Sequence, residues 1–245
     1  MKDINALIEQ GLQQSESRKT PRNYLGASSL GDACDRRIQY QYLGTKADHE
    51  FTGKQLKTFA MGHLLEDLII SWIQLVGFEL STRNKQGDQY GFEIAGGKIA
   101  GHIDGVLLSG PSGFSYPALW ECKTMNQKYW RDCVTRGLAL SHPHYFVQVQ
   151  LYMAYMQLDE HPALVTVLNK DSSELHHEWI QFDVAIAQRY SDRAAHILKA
   201  CQASEWLPRI AKDPNYFVCK SKSLLKNLLR PRQSYKEGRA TLEGS

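Results

Sequence analysis

Asp104, Glu121 and Lys123 are the residues of this 245-residue chain whose types and spacing suit chemistry best. They lie in two apolar runs, Gly101-His102-Ile103-Asp104-Gly105-Val106-Leu107-Leu108 and Ala118-Leu119-Trp120-Glu121-Cys122-Lys123. The turn-rich stretch Ser109-Gly110-Pro111-Ser112-Gly113 joins them, and both runs have strand character. Strand side chains alternate, so Glu121 and Lys123 share one face and Cys122 takes the other. If the runs pair as a hairpin, Asp104 can lie beside Glu121. Two adjacent carboxylates repel unless a cation separates them, and oxygen ligation favours Mg²⁺ or Mn²⁺. With an ammonium at the same spot, the set suits metal-dependent cleavage of a phosphodiester. Because Glu121 and Lys123 follow Ala118-Leu119-Trp120, partial burial is expected, and buried charges need partners or a metal.

The elements that must position this set are read from periodicity. Lys54 to Val76 is the strongest helical pattern; Leu64, Leu65, Leu68, Ile69, Trp72, Leu75 and Val76 give it a wide apolar face, and His63, Glu66 and Asp67 lie within one turn of each other on it. Strands are predicted over Phe78–Arg83, Gln89–Ile94, Lys98–Leu108 and Pro117–Lys123. Asn126 then caps a helix to Arg136, on which Lys128 and Arg131 stand at i, i+3, able to grip a substrate strand. A helix over Tyr145–Gln157 puts Gln148 and Tyr152 on one face, and two strands (Ala163–Leu168, Leu175–Phe182) precede a helix from Val184 to Cys201. At the N-terminal end, Asp3 to Gln14 is helical. Ser28 or Ser29 can cap a second helix running to about Tyr42, which carries Arg36 and Arg37. The order predicts an α/β (α+β) chain with a central mixed β-sheet flanked by helices, not a regular βαβ alternation.

Composition is that of an ordinary soluble protein, and no apolar run is long enough to span a bilayer. The N-terminus lacks a signal-peptide apolar region, so a cytoplasmic location with no membrane association is expected. Five scattered cysteines without a C-x-x-C pair argue against a disulfide framework and against a self-evident zinc site. The net charge of +3 is modest, but residues 212–245 carry eight bases and three acids. The expectation is a single domain over 1–211 and a basic, partly disordered tail able to track phosphates.

In the order His63, Asp104, Glu121-x-Lys123, Gln148-x-x-x-Tyr152, these motifs resemble the PD-(D/E)XK nuclease superfamily, most nearly its RecB-type and lambda-type phage exonuclease branch. The resemblance covers roughly Leu25 to Tyr152 and implies a restriction-endonuclease-like core. It implies that His63, Asp104, Glu121 and the backbone carbonyl of Cys122 ligate one or two Mg²⁺ or Mn²⁺ ions, with Glu66 assisting a second. It makes Lys123 the residue that aligns the attacking water, and Gln148 and Tyr152 the residues that orient the lysine or the DNA backbone. Arg22 with Ser28 or Ser29 matches the pair that holds a 5′-phosphate, and Arg36 and Arg37 are placed on the DNA with them. Some relatives carry an iron–sulfur cluster; here Lys220, Ser221 and Lys222 stand where clustered cysteines would be needed, so none is expected. The implied activity is exonucleolytic hydrolysis of duplex DNA ends, 5′ to 3′, in phage-type recombination or DNA processing. The implied partners are DNA, a single-strand annealing protein and further copies of the chain. The alternatives are an endonuclease on the same scaffold and a catalytically idle DNA-binding module.

Overall fold

The computed structural model describes residues 3–20, 22–45 and 50–211. The basic segment 212–245 lies outside the described residues. The elements in chain order are α1 (Ile4–Ser17), β1 (Leu25–Gly26), a 3₁₀ turn (Ala27–Ser29), α2 (Asp35–Tyr42), α3 (Gly53–Leu75), β2 (Glu79–Ser81), β3 (Gly91–Ile94), β4 (Ile99–His102) and β5 (Gly105–Ser109). They continue as β6 (Ala118–Met125), α4 (Gln127–Arg136), α5 (Leu138–Ser141), α6 (Pro143–Met156), β7 (Ala163–Asn169), β8 (Leu175–Ile180) and α7 (Val184–Gln202). The result is the expected mixed α/β architecture, with two sheets among helices.

The chain clusters into two compact units. The first comprises residues 1–25, 32–58 and 192–245, as far as they are described. In it, the Cβ that Gly53 lacks would collide with Glu9, 2.3 Å from its side chain, so α1 crosses the start of α3 at a contact only glycine permits. Lys57 closes the contact with a 2.9 Å ion pair to Glu9. Arg193 pairs with Asp35 at 2.5 Å. The Gln39 side chain donates to the Glu205 carbonyl at 2.5 Å and accepts from the Leu207 N–H at 3.1 Å, which ties the segment after α7 to α2.

The second unit comprises residues 26–31 and 59–191 and holds the chemistry-bearing motifs. Its main sheet has the order β2-β5-β6-β7-β8. Only β6 and β7 run parallel, as the long crossover through α4, α5 and α6 allows; the other pairs are antiparallel. Trp120, Cys122, Leu164 and Leu168 form one core face with Ile69 and Ile73 of α3. The alternate residues of β6, Glu121 and Lys123, face the other way. The Trp120 indole N–H donates to Thr166 Oγ1 at 3.0 Å, so the largest core side chain leaves no polar atom stranded.

Three sequence expectations need correcting. The strand predicted over Lys98–Leu108 is two strands in different sheets. β4 pairs with β3 and β1, β5 pairs with β2 and β6, and the break falls at Ile103-Asp104. Glycines at close approaches stand on both sides of the break. A Cβ on Gly101 would meet Phe92 and Tyr152 at 2.8–2.9 Å, and one on Gly105 would meet Leu80 at 2.7 Å. Ser28 and Ser29 do not cap α2; they form the 3₁₀ turn, and α2 starts later, from Cys34. The broad apolar face of α3 is only partly used. Ile69 and Ile73 are buried, but Leu64 is 70 % and Leu75 84 % exposed. The apolar residues outnumber the positions that one sheet face can cover.

Candidate active site

The β5–β6 pairing builds the site. Gly105 stands opposite Trp120, so Asp104, in the break just before β5, comes level with Glu121. The Cys122 N–H donates to Asp104 Oδ2 at 2.8 Å, locking the acid to the strand that carries Glu121 and Lys123. Lys123 Nζ donates to Glu121 Oε1, forming an ion pair whose carboxylate is fully buried and whose ammonium side is 16 % exposed. The same oxygen accepts from Gln148 Nε2 of α6 at 2.6 Å. Glu121 Oε2 is buried and has no hydrogen-bond partner among the described residues.

Glu66 enters from α3. Gly62, one turn earlier, passes within ordinary contact distance of Thr124 on β6, which brings this stretch of the helix to the end of the E-x-K strand. Burial, and then the Asp104 charge, raise the Glu66 carboxyl to about 7, against the pull of Lys123. Burial, and then Asp104, likewise push Glu121 up to about 8, against the pull of Lys123. Burial works to push Lys123 down, but the Glu121 and Asp104 carboxylates outweigh it and hold the ammonium well above its ordinary value. Glu66 and Glu121 thus resist ionisation, chiefly because they are buried and then because Asp104 lies nearby, and Lys123 only partly offsets both.

α6 closes the site from the other side. The Tyr152 hydroxyl shares a hydrogen bond with Gln148, and burial raises its pKa, with Glu121 adding to the rise. Its ring packs edge-on against Phe92 at 5.9 Å. Tyr145, which the motif reading passes over, places its ring under Lys123 Nζ, 5.2 Å from the centroid. Its signal in the sequence is its position three residues before Gln148, on the same helical face. Tyr152, Gln148, Glu121, Lys123 and Tyr145 therefore form one connected polar chain.

The structure brings Glu66, Asp104, Glu121, Lys123, Gln148 and Tyr152 together. His63 is 84 % exposed, with Nδ1 4.0 Å from Glu66, at the rim of the cluster. The Cys122 side chain points away into the apolar core. Lys128 and Arg131 are exposed on α4, the helix that follows the E-x-K strand. Arg36, expected on the substrate, is instead buried in the first unit, where Nε donates to the Leu207 carbonyl at 2.6 Å and the guanidinium lies over Trp206. Arg37 is paired with Asp32 in the same unit. Arg22 is exposed there, over the Tyr24 ring. Ser28 (exposed) and Ser29 (half-buried) belong to the second unit.

No protein-family model and no curated protein sequence matches this chain. Among solved structures, it is similar to an alkaline exonuclease, LHK-Exo, from Laribacter hongkongensis. The TM-score is 0.53 at 14 % identity, covering 79 % of this chain and 93 % of that one. The complex of LHK-Exo with dAMP gives a TM-score of 0.50 at 14 % identity over 81 % and 93 % of the two chains. A structure described as SSO0001 aligns over 88 % and 93 % at 17 % identity, with a TM-score of 0.43. The chain thus shares the fold of an exonuclease.

Proposed function

We propose that this chain is a divalent-metal-dependent DNA exonuclease that hydrolyses phosphodiesters from duplex ends, 5′ to 3′, through Asp104, Glu121 and Lys123. The observation that carries the reading is the buried Glu121 carboxylate. One of its oxygens takes both Lys123 and Gln148, and the other is left without a partner beside Asp104. A buried acceptor left unmade costs about 1–3 kcal/mol, more when charged, and a cation is the partner that Glu121 Oε2 lacks. The oxygen-rich donor set fits Mg²⁺ or Mn²⁺. Glu66, Asp104, Glu121 and the Cys122 backbone carbonyl would hold the ion, with His63 available on the same helix as Glu66. When bound, a divalent ion acts as a Lewis acid on a phosphoryl oxygen and makes water a nucleophile near neutral pH.

The chain's own residues supply the rest. The Glu121 and Asp104 carboxylates favour the ammonium form of Lys123, which in that form orients water and offsets phosphoryl charge as a donor. Gln148 fixes the Glu121 rotamer, and Tyr152 fixes Gln148. Lys128 and Arg131 face solvent where the backbone of a substrate strand can be held. The shared fold with an alkaline exonuclease supports the substrate class. A single-strand annealing protein, as the motif resemblance implies, would take up the strand that resection exposes.

The test is cleavage of end-labelled linear duplex with and without Mg²⁺ or Mn²⁺, by the wild type and by Lys123→Ala and Asp104→Ala. Both variants are expected to be folded and inactive. Wild-type rates in Lys123→Ala would overturn the assignment, and cutting of covalently closed circles would make the protein an endonuclease instead.

A further inference from the structure

A second set of metal-ligating side chains lies on the same face of the sheet, two strands from Glu121. The register runs Glu121–Val165–Glu178 and Lys123–Val167–His176 across β6, β7 and β8. At about 4.8 Å per strand, His176 and Glu178 stand roughly 10 Å from the acid cluster and share no residue with it. They are at i, i+2 on the edge strand β8, so both point to one side. α4 lays Cys133, fully buried, against that side. One thiol, one imidazole nitrogen and one carboxylate oxygen lie within 4.8 Å of one another, and His176 Nε2 is 3.9 Å from Glu178 Oε2.

We propose that Cys133, His176 and Glu178 form a zinc site, with three protein ligands and one open position, that joins α4 to the edge of the sheet. Bond lengths of about 2.0–2.3 Å put tetrahedral ligand atoms roughly 3.3–3.5 Å apart. The observed triad closes to that shell by a contraction of up to about 1.5 Å, within reach of two side chains that are only three-quarters buried. The surroundings already orient the ligands. The Leu138 N–H donates to Glu178 Oε2 at 2.8 Å, and Gly137 leaves room for the other oxygen, since a Cβ there would stand 3.2 Å from Glu178 Oε1. Ser141 hydrogen-bonds the Cys133 thiol and donates to the Gly137 carbonyl at 2.6 Å. Such outer contacts hold ligands ready for a metal. Three protein ligands leave the fourth position for water. A thiolate with an imidazole selects zinc over magnesium, so the two centres take different ions. The site fixes the helix that presents Lys128 and Arg131.

Full-length protein stripped with EDTA and titrated with Co²⁺ tests this. Cobalt takes zinc sites and shows a thiolate-to-metal charge-transfer band. The expected result is a saturable band that Zn²⁺ bleaches and excess Mg²⁺ does not. It should be absent in Cys133→Ser and weakened roughly tenfold or more in apparent affinity in His176→Gln. It should persist in Asp104→Asn, because the Cys122 thiol faces the core and gives the acid cluster no sulfur ligand. No band in the wild type would overturn the site. So would a band unchanged in His176→Gln, a substitution at a partly exposed position that keeps the test independent of the buried cysteine.

Discussion

Stability without metal should fall as the solution becomes more alkaline, and Glu121 sets the slope. Its carboxyl is raised from 4.5 to about 8 in the folded chain, so between these values the folded state keeps a proton that the unfolded state has lost. The unfolded state then binds fewer protons, and unfolding free energy drops with pH by about 1.4 kcal/mol per unit for one such group. The window between pH 6.5 and 8 confines the effect to the two raised carboxyls, Glu121 and Glu66. His142 and His177, both lowered by burial, contribute changes only below 6.5. Lys123, raised, contributes a constant amount below its ordinary value, which lies far above this window. Across this window Glu121 alone costs about 1.5–2 kcal/mol, and Glu66, raised to about 7, adds in the same direction at the lower end. Urea unfolding in EDTA at several pH values reads the slope directly. Saturating Mn²⁺ should flatten it, because the ion binds the ionised form and stabilises the fold more as pH rises. Glu121→Gln should flatten it without metal. A stability profile level from pH 6.5 to 8 in the wild type, or an unchanged slope in Glu121→Gln, would refute the placement of Glu121 among uncompensated carboxylates.

Other predictions follow from the same geometry. Lys123→Met should abolish cleavage. It should also cost about 3–5 kcal/mol at pH 8.5 and distinctly less at pH 6, where Glu121 takes up a proton in place of its lost partner; denaturant curves at the two values check this. Gln148→Leu should leave the fold intact but lower activity roughly 10–100-fold and weaken Mn²⁺ binding by calorimetry, since Glu121 loses the amide that orients it. Arg36→Met should destabilise the protein by about 1–3 kcal/mol, by stranding the Leu207 carbonyl, with DNA affinity at matched salt unchanged. A large loss of affinity with stability intact would return Arg36 to the substrate.

Much of the acid cluster was legible because strand alternation is a hard constraint. Once Glu121 and Lys123 share a face, a short connection to the preceding strand leaves Asp104 few other places to be. Asn126 likewise announced α4, accepting the Tyr129 N–H as a capping side chain should. The break between β4 and β5 was not legible. It shows only in the pairing, β4 with β3 and β5 with β2 and β6, which spans many residues of sequence. α3 misled for a related reason: periodicity counts apolar residues but not the sheet area available to cover them, so Leu64 and Leu75 remain outside. Ser28 and Ser29 had the right chemistry for a cap but not the right neighbours, since Gly31 approaches the His144 backbone so closely that a Cβ would stand 2.6 Å from it, and the chain turns there before α2 begins. Arg36 is a case of burial that charge alone would never suggest: its partner, the Leu207 carbonyl, lies 171 residues away.

The central claim is that Asp104, Glu121 and Lys123 form a metal-dependent centre for degrading DNA ends. The direct measurement is release of nucleotides from a duplex labelled at one 5′ end, compared with the same duplex labelled at one 3′ end and with a closed circle, in Mg²⁺ or Mn²⁺ and in EDTA. The account predicts early loss of the 5′ label in metal, an intact circle, and no release in EDTA or from Asp104→Asn. Release that continues in EDTA, or that survives Asp104→Asn, would contradict it.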